Sequence, residues 1–301
     1  MRGDQFFAQM SKRPPFTKLH PQLAGFLKDY LAHEKVVQFG EQYVVNTHFP
    51  PYPSRSFEQL VDGFSAVGDA EQKRLYSVTL AVTNRCDFNC WHCYNAGRGQ
   101  DDITLGALKQ LAADVQDRGA VMVTLTGGEP LLRDDLEEIV AGFDDRSCLI
   151  LGTTGDQLSR ERARRLKDAG LFALAVSLDS VEPLKHDRMR GREGAFRTAI
   201  DAIGVARDEG LYPYVVAVAT REFLVEEHFF AFMRFVGEAG ALEVHLLEPS
   251  ATGRLADRKD VLLSAEEREQ ILQYQQQVAS MKTRWESRGV GGFHSSIRAQ
   301  A

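Results

Sequence analysis

The chain has 301 residues, 44% of them apolar, enough for a sizeable core in one large α/β domain or two ordinary ones. A net charge of −6 and a pI near 5.8 give no electrostatic reason to expect a nucleic-acid partner. Four cysteines, three of them bunched, do not make a secreted disulfide framework, and no stretch reaches the roughly 18 uninterrupted apolar residues of a membrane span. The first ten residues carry Asp4 and lack the apolar run of a signal peptide, so the expectation is a soluble, cytoplasmic protein with reduced thiols.

Residues 1–76 differ in texture from the rest and are expected to form an N-terminal α+β extension. Leu23, Phe26, Leu27, Tyr30 and Leu31 recur at helical spacing and predict an amphipathic helix from Pro21 to His33. Lys35 to Asn46 reads as two short strands turning near Gly40-Glu41. His48 to Arg55 holds three prolines in four residues and must be extended or turning, after which Ser56 is the expected cap of a short helix through Phe64. Two readings of this segment stand side by side: a packing extension of the main domain, or a piece that recruits a substrate.

From Ser77 the chain alternates strand-like and helix-like stretches. The strands are 78–82, 121–125, 148–152, 172–178, 214–219 and 243–247, and the helices 104–117, 134–142, 159–168, 194–209 and 226–238. Continuous apolar strands alternating with amphipathic helices indicate a parallel sheet covered by helices. Six such units fit an open doubly wound sheet or an incomplete barrel, and periodicity does not choose between them. A last helix is expected from Ser264, its N-cap, to about Arg288, with Glu266-Glu267-Arg268-Glu269 as a solvated face. The domain boundaries expected on these grounds are 1–76, 77–260 and 261–301.

The chemistry concentrates after the first strand. Cys86, Cys90 and Cys93 fall within eight residues in the spacing C-x3-C-x2-C. Thiolates are soft ligands that suit iron–sulfur clusters or zinc, and one short loop can aim three of them at one point. No fourth cysteine lies nearby, which favours a cluster with one iron left open. Zinc with His92 as fourth ligand is the competing reading, although adjacent ligands on a tight loop fit it poorly. In parallel α/β folds ligands sit at the carboxyl ends of the strands. Thr126 to Pro130, Thr153 to Gly155, Asp179-Ser180 and Glu248 to Arg254 all follow strands and would crowd that same rim. Cys148, within an apolar strand, reads as a buried small hydrophobe. His186, His228 and His245 read as surface or satisfied core residues.

Cys86-x3-Cys90-x2-Cys93 followed by Thr126-Gly127-Gly128-Glu129-Pro130 resembles the radical S-adenosylmethionine superfamily. Ser177 to Ser180, with His186-Asp-Arg-Met-Arg-Gly191, looks like that family's fourth-strand region, and the resemblance covers about 77–254. It implies an α/β fold, a partial (β/α)6 TIM-like barrel with the N-terminal extension and a C-terminal helix. It implies one 4Fe–4S cluster on Cys86, Cys90 and Cys93 as the catalytic metal site. S-adenosylmethionine on the open iron would be cleaved to methionine and a 5′-deoxyadenosyl radical that abstracts hydrogen from substrate.

The same resemblance implies cofactor contacts at Gly127, Gly128, Glu129, Pro130, Thr154, Ser177 and Arg190, with His92 packed against the cluster. Gly127 and Gly128 would let backbone approach the methionine moiety, and Glu129 would accept from its ammonium. Arg190 is assigned to its carboxylate, the alternative being a plain pairing with a nearby Asp. Ser177 would lie near the ribose or carboxylate, and Thr154 stands where many relatives place asparagine. The implied partners are an external electron donor of flavodoxin or ferredoxin type and a peptide or protein side chain as substrate. A small molecule such as a tetrapyrrole is the alternative substrate, and a non-catalytic or truncated iron–sulfur protein the alternative of another class. The tail resembles members that continue into a cysteine-rich SPASM or twitch domain, but after Trp285 it runs to Ala301 without another cysteine.

Overall fold

The computed structural model describes residues 1–32, 34–65, 74–280 and 294–298. The N-terminal segment contains α1 (Gly3–Met10), α2 (Pro21–Ala32), an antiparallel hairpin of β1 (Val37–Phe39) and β2 (Gln42–Val44), and α3 (Arg55–Ser65). The hairpin turns at Gly40, which adopts φ +58°. Two local expectations change. Phe26 is exposed and stacks on Tyr30 at 6.1 Å, so the apolar stripe of α2 is not wholly inward. The cap of α3 is Ser54, whose Oγ accepts from Phe57 N–H at 3.0 Å, because the helix starts one residue before Ser56.

Seven parallel strands follow: β3 (Ser77–Thr83), β4 (Met122–Gly127), β5 (Cys148–Thr153), β6 (Leu171–Ser177), β7 (Tyr212–Val218), β8 (Glu243–Leu247) and β9 (His294–Arg298). Between them run α4 (Leu105–Asp117), α5 (Leu136–Val140), α6 (Arg160–Asp168), α7 (Pro183–Arg190), α8 (Ala195–Asp208), α9 (Glu226–Ala239) and α10 (Ala265–Ser280). Each strand pairs with the next in sequence, from β3 through β9. An order without reversal, built from right-handed crossovers, puts the helices on one face, whereas a doubly wound sheet needs a switch point. The incomplete-barrel expectation is therefore the one the topology takes, and among the described residues β3 and β9 do not pair to close it.

Three departures have local causes. The predicted helix 134–142 contracts to the five residues of α5 because Pro130–Leu132 forms a 3-10 turn, and Arg133 doubles back to pair with Asp135 at 2.7 Å. The eight-residue α7 was not expected, since its four charged side chains hide any apolar stripe. β9, seventh in the sheet, lies in the tail where no strand was expected. The start of α10 agrees with the sequence: Ser264 Oγ accepts from Glu267 N–H at 3.2 Å, and Glu267 Oε2 accepts from Ser264 N–H at 2.7 Å. The expected continuation of that helix to Arg288, and Trp285, lie outside the described residues.

Alternate residues of each strand face opposite ways. Val123, Leu125, Leu151, Val176 and Val215 point to the helices and make the main core with Leu108, Leu166 and Ile203. Met122, Ile150, Ala175, Tyr212 and Tyr214 point to the other, inner face. That inner face is covered by the N-terminal segment, through Phe6, Met10, Phe16, Tyr52 and Phe57. Cys148 is buried in the same cluster, and burial pushes its thiol far up. Both faces are thus covered, which is why the strands read as continuous apolar runs. Among the described residues no helix is long and apolar enough to cross a membrane.

Candidate active site

The loop between β3 and α4 carries the three bunched thiols, and backbone from three directions fixes its course. From the end of β4, Gly128 N–H donates to Thr83 O and Glu129 N–H to Arg85 O, each at 2.8 Å. The approach requires glycine: a Cβ on Gly128 would stand 2.0 Å from Arg85 O, and one on Gly127, at φ +148°, 2.1 Å from Thr83 O. The structure adds a reason of its own for these glycines: the space their side chains would fill is taken by backbone at the start of the cysteine loop. From the end of α7, Arg190 O accepts from Asn89 N–H at 3.0 Å and Met189 O from Trp91 N–H at 3.1 Å. Gly191 closes that helix at φ +62°, and a Cβ there would meet Asn89 O at 2.4 Å. From the segment after β8, Arg254 N–H donates to Cys93 O at 3.0 Å.

All four cysteines are free; Cys86 is exposed, Cys93 half-buried and Cys90 buried. Although the residue as a whole is exposed, partial desolvation of its sulfur pushes the Cys86 thiol up to about 11, and the neighbouring charges of Glu129, Cys90 and Cys93 push the same way. Burial also raises Cys90, against the pull of Arg190. Cys86 and Cys90, two thiols that resist ionising beside each other, call for a cation, since a coordinating metal deprotonates its thiols outright. Among the described residues no three His, Cys, Asp or Glu side chains stand as a preformed coordination set, so the loop gathers the sulfurs without closing them on a point. The donors nonetheless fit an iron–sulfur cluster. They are three soft sulfurs, with Phe88 N–H donating to Cys86 Sγ at 3.4 Å and Arg190 Nη1 standing 4.0 Å from Cys90 Sγ.

Arg190 is buried, and its Nε stands 2.7 Å from Oδ2 of the fully buried Asp179. The two atoms attract as charges but are not aligned for a hydrogen bond, so both remain sealed polar atoms without one. Burial works against the charge of Asp179, yet Arg190, together with the smaller pulls of His92, His186 and Val218 N–H, outweighs it and holds that carboxyl below its usual range. Asp179 Oδ1 accepts from Val218 N–H at 3.0 Å, and Asp179 N–H donates to His186 Nδ1 at 3.1 Å. Arg190 thus pairs with a nearby Asp through Nε, and its assignment to a cofactor carboxylate is taken up below as a proposal.

Glu129 is 1% exposed and holds four donors. Oε1 accepts from Thr153 Oγ1 at 2.6 Å and Leu131 N–H at 3.1 Å; Oε2 accepts from Thr154 N–H and Thr154 Oγ1, both at 2.7 Å. Burial raises its pKa, and these bonds oppose the rise. An ammonium group expected at this carboxylate would have to compete with donors already in place, because the loop after β5 closes over it. Thr154 is engaged in the same way. Pro130 is buried and opens the following turn. Ser177, at the end of β6, is half-buried and makes no side-chain hydrogen bond among the described residues. His92 has a sealed Nδ1 without a partner, stands edge-on to Trp91 at 5.4 Å, and is lowered by burial to about 4, so its ring is neutral.

The structure thus joins Cys90, Arg190 and Asp179 directly, joins Glu129 to Thr153 and Thr154 directly, and leaves Ser177 apart. Sequence reasoning did not single out Asn89, Trp91 or Arg254, whose roles are backbone hydrogen bonds that no side-chain motif advertises. Beside the loop a cavity of about 470 Å³ is lined by Trp91, Met189, Arg188, Lys185, Thr220 and Pro249, among others. Its volume suits a small-molecule or side-chain ligand.

Comparison with known proteins bears on this rim. The family model of the Radical SAM superfamily matches residues 80–232. The chain is 28% identical over 201 residues to an AdoMet-dependent heme synthase of Nitratidesulfovibrio vulgaris, covering 65% of this chain and 54% of that protein. It is 33% identical over 197 residues to a GTP 3',8-cyclase of Rhizobium leguminosarum bv. trifolii, covering 61% and 55%. The chain therefore spans about half the length of these curated relatives. Its fold is similar to that of Streptococcus suis SuiB bound to precursor peptide SuiA, with a TM-score of 0.59 at 13% identity over 81% of this chain and 54% of that one.

Proposed function

The chain belongs to the radical SAM superfamily, and on that premise we propose that it is an enzyme acting on a peptide or protein side chain. With one 4Fe–4S cluster and S-adenosylmethionine bound, that pair supplies reductive sulfonium cleavage and a 5′-deoxyadenosyl radical that takes hydrogen from the substrate. Cys86, Cys90 and Cys93 would hold the cluster. The observation that carries the reading is one loop holding three thiols, pinned by backbone from β4, α7 and the segment after β8.

In this reading the chain's own residues bind and orient. Arg190, already beside Cys90, supplies positive charge next to the thiolates, and Asp179 keeps the guanidinium in place. Gly127 to Pro130, Thr154, Ser177 and Arg190 are the proposed contacts for S-adenosylmethionine, with His92 as neutral packing beside the cluster. The Glu129 side chain acts at one remove, fixing Thr153 and Thr154. An external donor of flavodoxin or ferredoxin type is the proposed reductant. Four free thiols fit the reducing conditions of the cytoplasm.

The likeness to SuiB with its precursor peptide supports the peptide reading at the level of fold. A second reading, a small molecule such as a tetrapyrrole, is favoured by the similarity to the heme synthase. Anaerobic reconstitution should give about four irons per chain and dithionite-dependent 5′-deoxyadenosine. Retention of that activity by Cys90→Ala would refute the assignment.

A further inference from the structure

His245 was read from the sequence as an ordinary surface or core residue, and its surroundings say otherwise. Ser177, Val216 and His245 form one cross-strand row on β6, β7 and β8, so their side chains leave the same face of the sheet. It is the inner face, against which Val216 packs with Tyr214 and the N-terminal cluster. Strands spaced about 4.8 Å apart put His245 roughly 10 Å along that row from Ser177. His245 therefore lies on the same face of the sheet as Ser177, which closes β6 at the rim.

A buried carboxylate holds the ring. Glu243, two residues earlier and fully sealed, has Oε1 2.6 Å from His245 Nε2. The same carboxylate accepts Thr47 N–H at 3.0 and 3.1 Å and Thr47 Oγ1 at 3.3 Å, while Thr47 Oγ1 lies 2.9 Å from His245 Nε2. The His48 ring lies over the imidazole at 4.7 Å, and Tyr214 at 4.6 Å. A carboxylate can only accept here, so the network assigns the proton to Nε2. Nδ1 has no hydrogen-bonding partner among the described residues and is not a sealed atom, and the side chain keeps 12% of its surface accessible. A buried glutamate spent on orienting one ring, with the ring's other nitrogen left open, is the arrangement of a recognition residue rather than of filler.

We propose that His245 is a substrate-facing residue whose Nδ1 accepts a hydrogen bond from an amide or hydroxyl donor of the substrate. Glu243 and Thr47 are its positioning residues, which makes the N-terminal segment part of the binding site. The assignment deepens the function proposed above and rests on the substrate lying over the inner face.

The test is nuclear magnetic resonance on the full chain, with the cluster reconstituted and histidine nitrogen labelled. The His245 signals, identified by their loss in His245→Gln, are expected to show a proton on Nε2 and a bare Nδ1. N-methylacetamide is expected to move the Nδ1 resonance saturably. N,N-dimethylacetamide, which lacks the N–H, is expected to move it at least about threefold less. Glu243→Gln, which keeps the shape and removes the charge, is expected to raise the fraction protonated on Nδ1. A proton on Nδ1 in the unaltered chain, or equal responses to the two amides, overturns the proposal. No S-adenosylmethionine is used, so failure here leaves the radical chemistry standing, and absence of 5′-deoxyadenosine leaves this measurement untouched.

Discussion

Arg190 and Asp179 are buried against each other, Nε 2.7 Å from Oδ2, with the sulfur of Cys90 4.0 Å from the same guanidinium. Neither charge has water to fall back on. Asp179→Asn keeps the shape and the bond from Val218 N–H but leaves a buried cation uncompensated, which costs about 3–5 kcal/mol. Urea denaturation should show the loss, and an unchanged midpoint would mean that the pairing adds nothing.

Gly128→Ala places a methyl where Arg85 O already stands, 2.0 Å away. Backbone cannot swing aside as a side chain can, so the start of the cysteine loop must move, at about 1–3 kcal/mol or more. Iron bound per chain after reconstitution should fall together with thermal stability. Gly106→Ala is the control: nothing lies within 4 Å of the added atom on α4, and stability should rise by up to about 1 kcal/mol.

His186 gives the fold a dependence on pH. Burial lowers it to about 4, and its Nδ1 accepts from Asp179 N–H, a bond that protonation would break. The unfolded chain takes up this proton first, near pH 6.5, so stability is fully present above that value and drains away as pH falls towards 4. The amount is at most about 3 kcal/mol. Denaturation midpoints measured between those limits should fall less steeply for His186→Gln than for the unaltered chain.

Phe6 is 1% exposed and meets Phe16, Tyr43 and Tyr52 with ring centroids 5.4 to 6.1 Å away. Phe6→Ala should cost about 3–5 kcal/mol, since rings wedged under the sheet cannot collapse into the void. If the N-terminal segment were loosely attached, calorimetry would show a separate early transition in place of one lowered Tm.

Much of the site was legible in the sequence, and each part for a reason of its own. Cys86, Cys90 and Cys93 declare themselves because ligands to one centre must be close in space and here are close in sequence. Continuous apolar strands alternating with helices specified a helix-covered parallel sheet, and Ser264 specified the start of α10. By contrast, α7 could not be seen, because a short helix with four charged side chains shows no apolar period.

What only the tertiary structure decided are the pairings between distant residues. Local pattern is silent on which charge Arg190 meets, on the four donors that fill Glu129, and on the backbone that makes Gly127 and Gly128 necessary. Thr47 and Glu243 lie 196 residues apart, yet one carboxylate binds both ends of the chain to the same face of the sheet. Spacing along a chain fixes what one element can do, since helix and strand periods are local. Which elements touch is set by burying both faces of the sheet at once, and that choice brought His245, which reads from the sequence as an ordinary surface or core residue, to the inner face with its Nδ1 open.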